Sequence, residues 1–473
     1  MNILSVSFIF IFIGIFIIYW SLAKNYKLQN LFLLTISYIL YASWDLKALG
    51  LLFSISLISY CTGLIIGDSS KNYRKILLYF TIILNIGTLF LFKYYNFFIS
   101  ELYALLEIHS KSLILNLALP IGISFYIFTT TGYVIDIYKQ KRKAESNIIS
   151  FLSFVSFFPL IMSGPIERST TLLPQFSNKR QFSYSFASEG LIQVIWGFFK
   201  KLVIADNCAT IVNQAFSIYE VLPASSLCIG AVMYSFQIYF DFSGYSDIAI
   251  GFSKLLGFKV LRNFHYPYIA INISDFWRRW HMSLQRWFTD YIYFPLGGSK
   301  CSKSRCIYNT FVVFTICGIW HGANWTFIAW GLYNAFLFIP YILFTKGKSK
   351  KSISDGTKIP TIRDFFNMTG TFILVTIGWI IFNSSSISDA IGYMSHCLDA
   401  SLFSIPTGIG LTDFLLTAIL LVLVLLLEWF QKDKEFALLF KSPKWIKLCV
   451  IYIIIYMLIF NRAGVADFIY LQF

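Results

Sequence analysis

The side chains best placed to do chemistry in this chain are two histidines and a handful of aspartates and arginines. His321 stands in the uncharged run Phe314-Thr-Ile-Cys-Gly-Ile-Trp-His-Gly-Ala-Asn-Trp-Thr-Phe-Ile-Ala-Trp330, where it is the only group able to titrate near neutral pH. An ionisable group at membrane depth is costly, so its presence points to function. A desolvated imidazole stays neutral, and a neutral imidazole can take a proton from a hydroxyl or carry an acyl group itself. Gly318 and Gly322 leave room for another backbone or an acyl chain. Asn324, three residues on, has an amide able to bond a ring nitrogen or a substrate carbonyl. The residues alone fit equally well a core histidine hydrogen-bonded between helices.

A second histidine lies in Asp275-Phe-Trp-Arg-Arg-Trp-His281-Met-Ser-Leu-Gln-Arg-Trp-Phe. At helical spacing Trp277, Trp280, His281, Leu284 and Trp287 share one face, while Arg278, Arg279 and Arg286 project elsewhere, toward lipid phosphates or an anionic donor. The plainer reading is an amphipathic helix along the membrane surface with solvated charges. No glycine-rich phosphate loop accompanies the arginines. A third candidate is Asp241-Phe-Ser-Gly-Tyr-Ser-Asp247, two aspartates in an apolar region. They suit ion ligation, pairing with a buried cation, or capping of a helix restarted at Ser246 or Asp247. Cys317 and His321 are four apart, but two ligands do not make a metal site and none is expected.

The elements that must position these groups are membrane helices. Hydrophobic residues make up 57% of the 473 and charged residues 13%, with a mean hydropathy of +0.68. A soluble domain carries about 25% charged residues. Roughly 10–12 spans of about 20 residues fit the length, in one membrane domain covering 1–473. The net charge of +15 falls mostly in short loops between apolar runs, which is a topology signal and excludes nucleic-acid binding. The eight cysteines form no framework.

Spans are predicted at 3–22, 30–44, 49–67, 76–98, 115–137, 187–205, 224–243, 308–327, 328–345, 367–383, 411–428 and 446–461, with a shorter helix at 246–258. Lys24 and Lys27, then Lys71, Arg74 and Lys75, then Lys139, Lys141, Arg142 and Lys143 occupy alternate loops, which predicts an N-terminus outside the cytoplasm. The stretch 148–163, short and interrupted by Pro159, reads as re-entrant. Lys346 to Lys358 reads as a flexible cytoplasmic linker. No internal repeat is visible, which counts against an inverted-repeat transporter.

At the three candidate segments the chain resembles the membrane-bound O-acyltransferase family. Trp320-His321-Gly resembles its signature histidine, and Asp275 to Leu284 its second histidine motif. Ser124-Phe-Tyr-Ile-Phe, Tyr133-Val-Ile-Asp-Ile-Tyr, Ser163-Gly-Pro-Ile-Glu-Arg, Leu173-Pro-Gln-Phe, the Asp241 run and Tyr293-Phe-Pro-Leu-Gly-Gly are similar to the branch that acetylates alginate and peptidoglycan. The resemblance runs from about Ala42 to Asn383, with its motif core at about 120–345; from Ser384 onward it stops.

The resemblance implies an all-α polytopic bundle of about 11 transmembrane helices plus re-entrant and interfacial helices, in a bacterial inner membrane. Cytoplasmic and extracytoplasmic funnels would meet near His321. His321 and His281 would be catalytic, with Asn324, Asp241, Asp275, Arg278 and Arg279 in support. No cofactor would be bound. Acetyl-CoA would be the cytoplasmic co-substrate, and a secreted serine-esterase-like (SGNH-type) acetyltransferase would finish the transfer to a polysaccharide. The alternatives are D-alanyl transfer to teichoic acid and a transporter or flippase in which Asp241, Asp247 and His321 form an ion path.

Overall fold

Short polar side chains mark where apolar runs turn into helices. Ser5 accepts the Phe8 N–H, Asn25 the Lys27 and Leu28 N–H groups, Asn147 that of Ser150 and Ser302 that of Arg305. Thr361 and Asp364 form a reciprocal capping box. Each cap satisfies donors that a helix start leaves open. The computed structural model describes residues 4–68, 71–108, 112–162, 164–344, 360–432 and 442–461, with Gly464, Ala466, Phe468 and Ile469. Ser163 and the linker expected at 346–358 lie outside the described residues. Among the described residues the regular structure is helical and no strand occurs, as expected where apolar segments must satisfy their backbone internally.

Five described helices are long and apolar enough to cross a membrane: Leu46–Asp68, Tyr73–Lys93, Trp325–Phe344, Ile362–Asn383 and Leu411–Gln431. Val6–Ser21 and Ile148–Ile161 are apolar but shorter. The protein is a multi-pass membrane protein. The stretch read as re-entrant forms Ile148–Val155 and Phe158–Ile161, broken at Phe157 ahead of Pro159, with residues 150–162 buried.

The chain divides into two compact units, Met1–Val194 with Ser246–Arg262, and Ile195–Tyr245 with Asn263–Phe473. In the first, Arg180 donates to Asn30 Oδ1 at 2.7 Å and Tyr19 to the Leu256 carbonyl at 2.8 Å, so buried polar groups lock its helices together. Its helix Ile123–Tyr138 starts later than predicted, because the Asn96 amide bonds both the N–H and the C=O of Leu115 and keeps that backbone out of a helix.

The second unit holds both histidines, and three expectations fail there or at its edge. The predicted pair 224–243 and 246–258 is one helix, Ala224–Leu255, so neither Ser246 nor Asp247 caps anything. Gly244, inside this helix, permits close packing: a Cβ there would come within 2.9 Å of the Gly197 carbonyl oxygen. The surface helix expected around His281 is two short buried helices, Ile273–Arg279 and Met282–Phe288. The span predicted at 308–327 ends at His321, and the run folds as a hairpin of Lys303–His321 and Trp325–Phe344. Gly-Ala-Asn is turn chemistry, and the absence of charge had hidden it.

That hairpin depends on glycine. A Cβ on Gly318 would overlap the Phe327 carbonyl, and one on Gly331 the Phe314 carbonyl. Gly318→Val is therefore expected to destabilise the protein by about 1–3 kcal/mol or more. Thermal unfolding in detergent checks this, with Gly370→Val as control because nothing lies within 4 Å of a Cβ there. A Gly318→Val midpoint equal to the control's would show that the hairpin tolerates separation.

Candidate active site

His321 ends its helix with only 4% of its surface exposed. Gly322 follows in extended geometry, φ −175°, so the imidazole caps the hairpin bend rather than sitting mid-span. Three rings enclose it edge-on: Trp320 at 4.8 Å between centroids, Trp330 at 5.1 Å and Phe382 at 5.2 Å. Trp330 comes from Trp325–Phe344 and Phe382 from Ile362–Asn383. Three helices thus fix one imidazole in apolar surroundings.

His281 is 1% exposed and adopts φ +41°, ψ +54°, a left-handed conformation that costs a non-glycine residue about 1–3 kcal/mol. The surrounding backbone imposes it. Met282 N–H donates to the Asn263 carbonyl at 2.8 Å, His265 N–H to the Arg279 carbonyl at 2.9 Å, and Ser283 Oγ to Asn263 Oδ1 at 2.6 Å. This kink separates the two short helices, so Trp277, Trp280, His281, Leu284 and Trp287 do not share one helical face. Burial holds the His281 imidazole well below its ordinary pKa, in the neutral form. Phe242 meets its ring at 4.7 Å and Trp320 at 6.1 Å. Trp320 therefore contacts both imidazoles.

Two of the three arginines, Arg278 and Arg279, reach back to a carboxylate on their own helix. Asp275 Oδ1 lies 3.1 Å from Arg279 Nε and 3.1 Å from Arg278 Nη2, one turn along the same helix. Asp275 and Arg279 are buried, while the Arg278 side chain is 34% exposed. Only Arg286 is exposed as the amphipathic reading required. Asn324 donates to the Ser385 carbonyl at 3.0 Å and accepts the Thr326 N–H at 3.0 Å, so its amide serves the hairpin turn and the next helix start. Asp241 pairs with Lys201 at 2.8 Å, and Asp247 accepts from Gln193 at 2.8 Å. Of the alternatives open for these aspartates, Asp241 takes ion pairing.

Several residues were not singled out from sequence. Trp330, Phe382 and Phe242 cage the histidines but look like ordinary apolar positions. Asn263 gave no signal. Lys200 and Lys201 did: two adjacent lysines inside the apolar span predicted at 187–205 are as anomalous as His321. In the other unit Glu167, from the Gly-Pro-Ile-Glu-Arg motif, is buried and accepts from Leu261 N–H and Thr171 Oγ1. Burial pushes its carboxyl up to about 7.

A buried, ring-enclosed histidine with a second close by suits proton transfer or acyl transfer. Comparison with known proteins agrees in kind. Residues 134–378 match the model of the membrane-bound O-acyltransferase family. The chain is 36% identical over 388 residues to a probable alginate O-acetylase of Azotobacter vinelandii, covering 81% of this chain and 75% of that one. It is 34% identical over 407 residues to a peptidoglycan O-acetyltransferase of Helicobacter pylori, covering 80% and 75%. A teichoic acid D-alanyltransferase of Bacillus subtilis is 32% identical over 280 residues, 57% of this chain and 69% of that one. With both histidine motifs inside the matched region and most of its length shared with such enzymes, this chain is an acyltransferase and belongs to the membrane-bound O-acyltransferase family.

Proposed function

We propose that the protein passes an acetyl group from a cytoplasmic thioester donor, acetyl-CoA, across the bacterial inner membrane for O-acetylation of an extracytoplasmic polysaccharide. The observation that carries this reading is the pair of buried imidazoles that both meet the ring of one residue, Trp320. His321 takes the proton of the accepting hydroxyl, whose oxygen attacks the thioester carbonyl. The C–S bond then breaks, and the thiolate leaves with that proton. His281 orients the donor. Asp275, Arg278 and Arg279 hold the His281 kink, and Asn324 holds the hairpin bend.

The N-terminus lies outside the cytoplasm, as the alternation of lysine-rich and lysine-poor loops supports. A secreted SGNH-type acetyltransferase receives the group and completes transfer to the polymer. Acetyl transfer is favoured over D-alanyl transfer because the acetylating relatives align over 80% or more of the chain and the B. subtilis D-alanyltransferase over 57%.

The test is incubation of the purified protein with radiolabelled acetyl-CoA, the secreted acetyltransferase and polysaccharide. Label on the polymer or on the acetyltransferase is expected. Label that moves only from a phosphopantetheine-borne D-alanine would replace this reading with D-alanyl transfer. Label held on His321 after rapid quenching near neutral pH, and discharged by hydroxylamine, would replace the base role with an acyl-imidazole.

A further inference from the structure

Lys201 lies in the π-helical turn Phe199–Ala205, an uncommon geometry that recurs at functional positions. It is buried, and an ammonium there must have all three N–H groups satisfied. One goes to Asp206 Oδ1 at 2.7 Å, and a second faces Asp241 Oδ1, its ion-pair partner at 2.8 Å. The third goes to a backbone, the Ala466 carbonyl at 2.8 Å. Asp241 in turn uses its other oxygen, Oδ2, to accept the Ile469 N–H at 2.8 Å. The Ile469 amide thus gives the buried Asp241 carboxylate a donor besides the ammonium. Without the backbone at Ala466 and Ile469, a buried donor and a buried carboxylate oxygen would be left open, which is strongly unfavourable.

The residue just before Ile469 is aromatic. Phe468 is buried, with its ring 4.1 Å from Tyr245 and 6.1 Å from Phe242. Phe242 follows Asp241 directly and meets the His281 ring edge-on at 4.7 Å. The ion cluster and the imidazole are thus joined by two phenylalanines.

We propose that Lys201 and Asp241 are positioning residues for acyl transfer: they clamp the backbone at Ala466 and Ile469, which seats Phe468 beside Phe242 and holds Phe242 against His281. The proposal rests on the reading above, in which His281 serves acetyl transfer. It assigns a task to residues beyond Ser384, where the sequence resemblance stops.

The test uses full-length protein carrying Ile469→Cys, with the exposed Cys61 and Cys449 changed to Ser, and a maleimide probe read at position 469 by mass spectrometry. In that background Asp241→Asn is expected to raise the labelling rate about tenfold as the clamp opens. Acetyl-transfer kcat is expected to fall about 10–100-fold, with KM for acetyl-CoA within about twofold. Phe468→Leu, which leaves the ion cluster intact, is expected to lower kcat in the same way with position 469 still protected.

Raised labelling with parent-like kcat would overturn the positioning role, and lowered kcat with position 469 protected in Asp241→Asn would overturn the clamp. If Asp241→Asn does not fold, Phe468→Leu decides, and parent-like kcat there overturns the proposal. A parent protein that transfers no acetyl group would instead sink the functional reading, while the labelling contrast would still report on the clamp.

Discussion

Replacing His321 with alanine is expected to lower acetyl transfer by about 10²–10⁴-fold, the contribution of a positioned general base, while leaving a folded, inserted protein. The ring contacts Trp320, Trp330 and Phe382, so alanine also leaves a cavity in the cage. His321→Phe separates the two effects, since it keeps an aromatic ring at the site but cannot accept a proton. Both variants should lose cell-surface O-acetyl ester, and only the alanine variant should show a lowered thermal midpoint. Parent levels of ester in either one would remove His321 from the chemistry.

Replacing Asp275 with alanine is expected to cost about 3–5 kcal/mol, the penalty for breaking a buried ion pair and stranding its partner. The stranded partner is Arg279, buried with its Nε on Asp275 Oδ1. The Arg278 contact adds little, because that side chain is one-third exposed. A loss of this size is a large part of the stability of most folded domains, so the variant should be recovered in low yield and unfold at a lower temperature in detergent. Asp275→Asn keeps a hydrogen-bond acceptor and should lose less. Because Arg279 also donates to the His265 carbonyl at 3.2 Å, beside the kink that sets His281, activity should fall in whatever folded fraction remains. An Asp275→Ala protein as stable as the parent would show that Arg279 finds another partner or reaches solvent.

Both predictions concern residues whose types were conspicuous in the sequence, yet the two were legible to different depths. His321 stood out because an imidazole in an uncharged run is anomalous whatever the fold. Its surroundings were not legible: Trp330 and Phe382 are apolar residues among many, and only packing selects them. Asp275 was visible as a charge, but helical spacing placed its arginines toward phosphates. In the structure they turn back along one helix, because a carboxylate one turn away satisfies a guanidinium that burial removes from water. The helical pattern from Asp275 to Trp287 misled for a definite reason. Backbone bonds from Asn263 and His265 break the helix at His281, and no local sequence signal reveals partners this far away along the chain.

The sequence by itself determined that this is a multi-pass helical membrane protein of the O-acyltransferase family, and it marked both histidines. Composition, hydrophobic run length and motif order carry that information locally, residue by residue. Only the tertiary structure decided that the His321 span is a hairpin bend, that Trp320 touches both imidazoles, and that Asp241, paired with Lys201, accepts from the backbone of Ile469, 228 positions beyond it. The physical reason is the same in each case. Apolar helices carry no local mark of which faces meet, so buried polar groups and close glycine contacts choose the partners, and those choices exist only once the chain has packed.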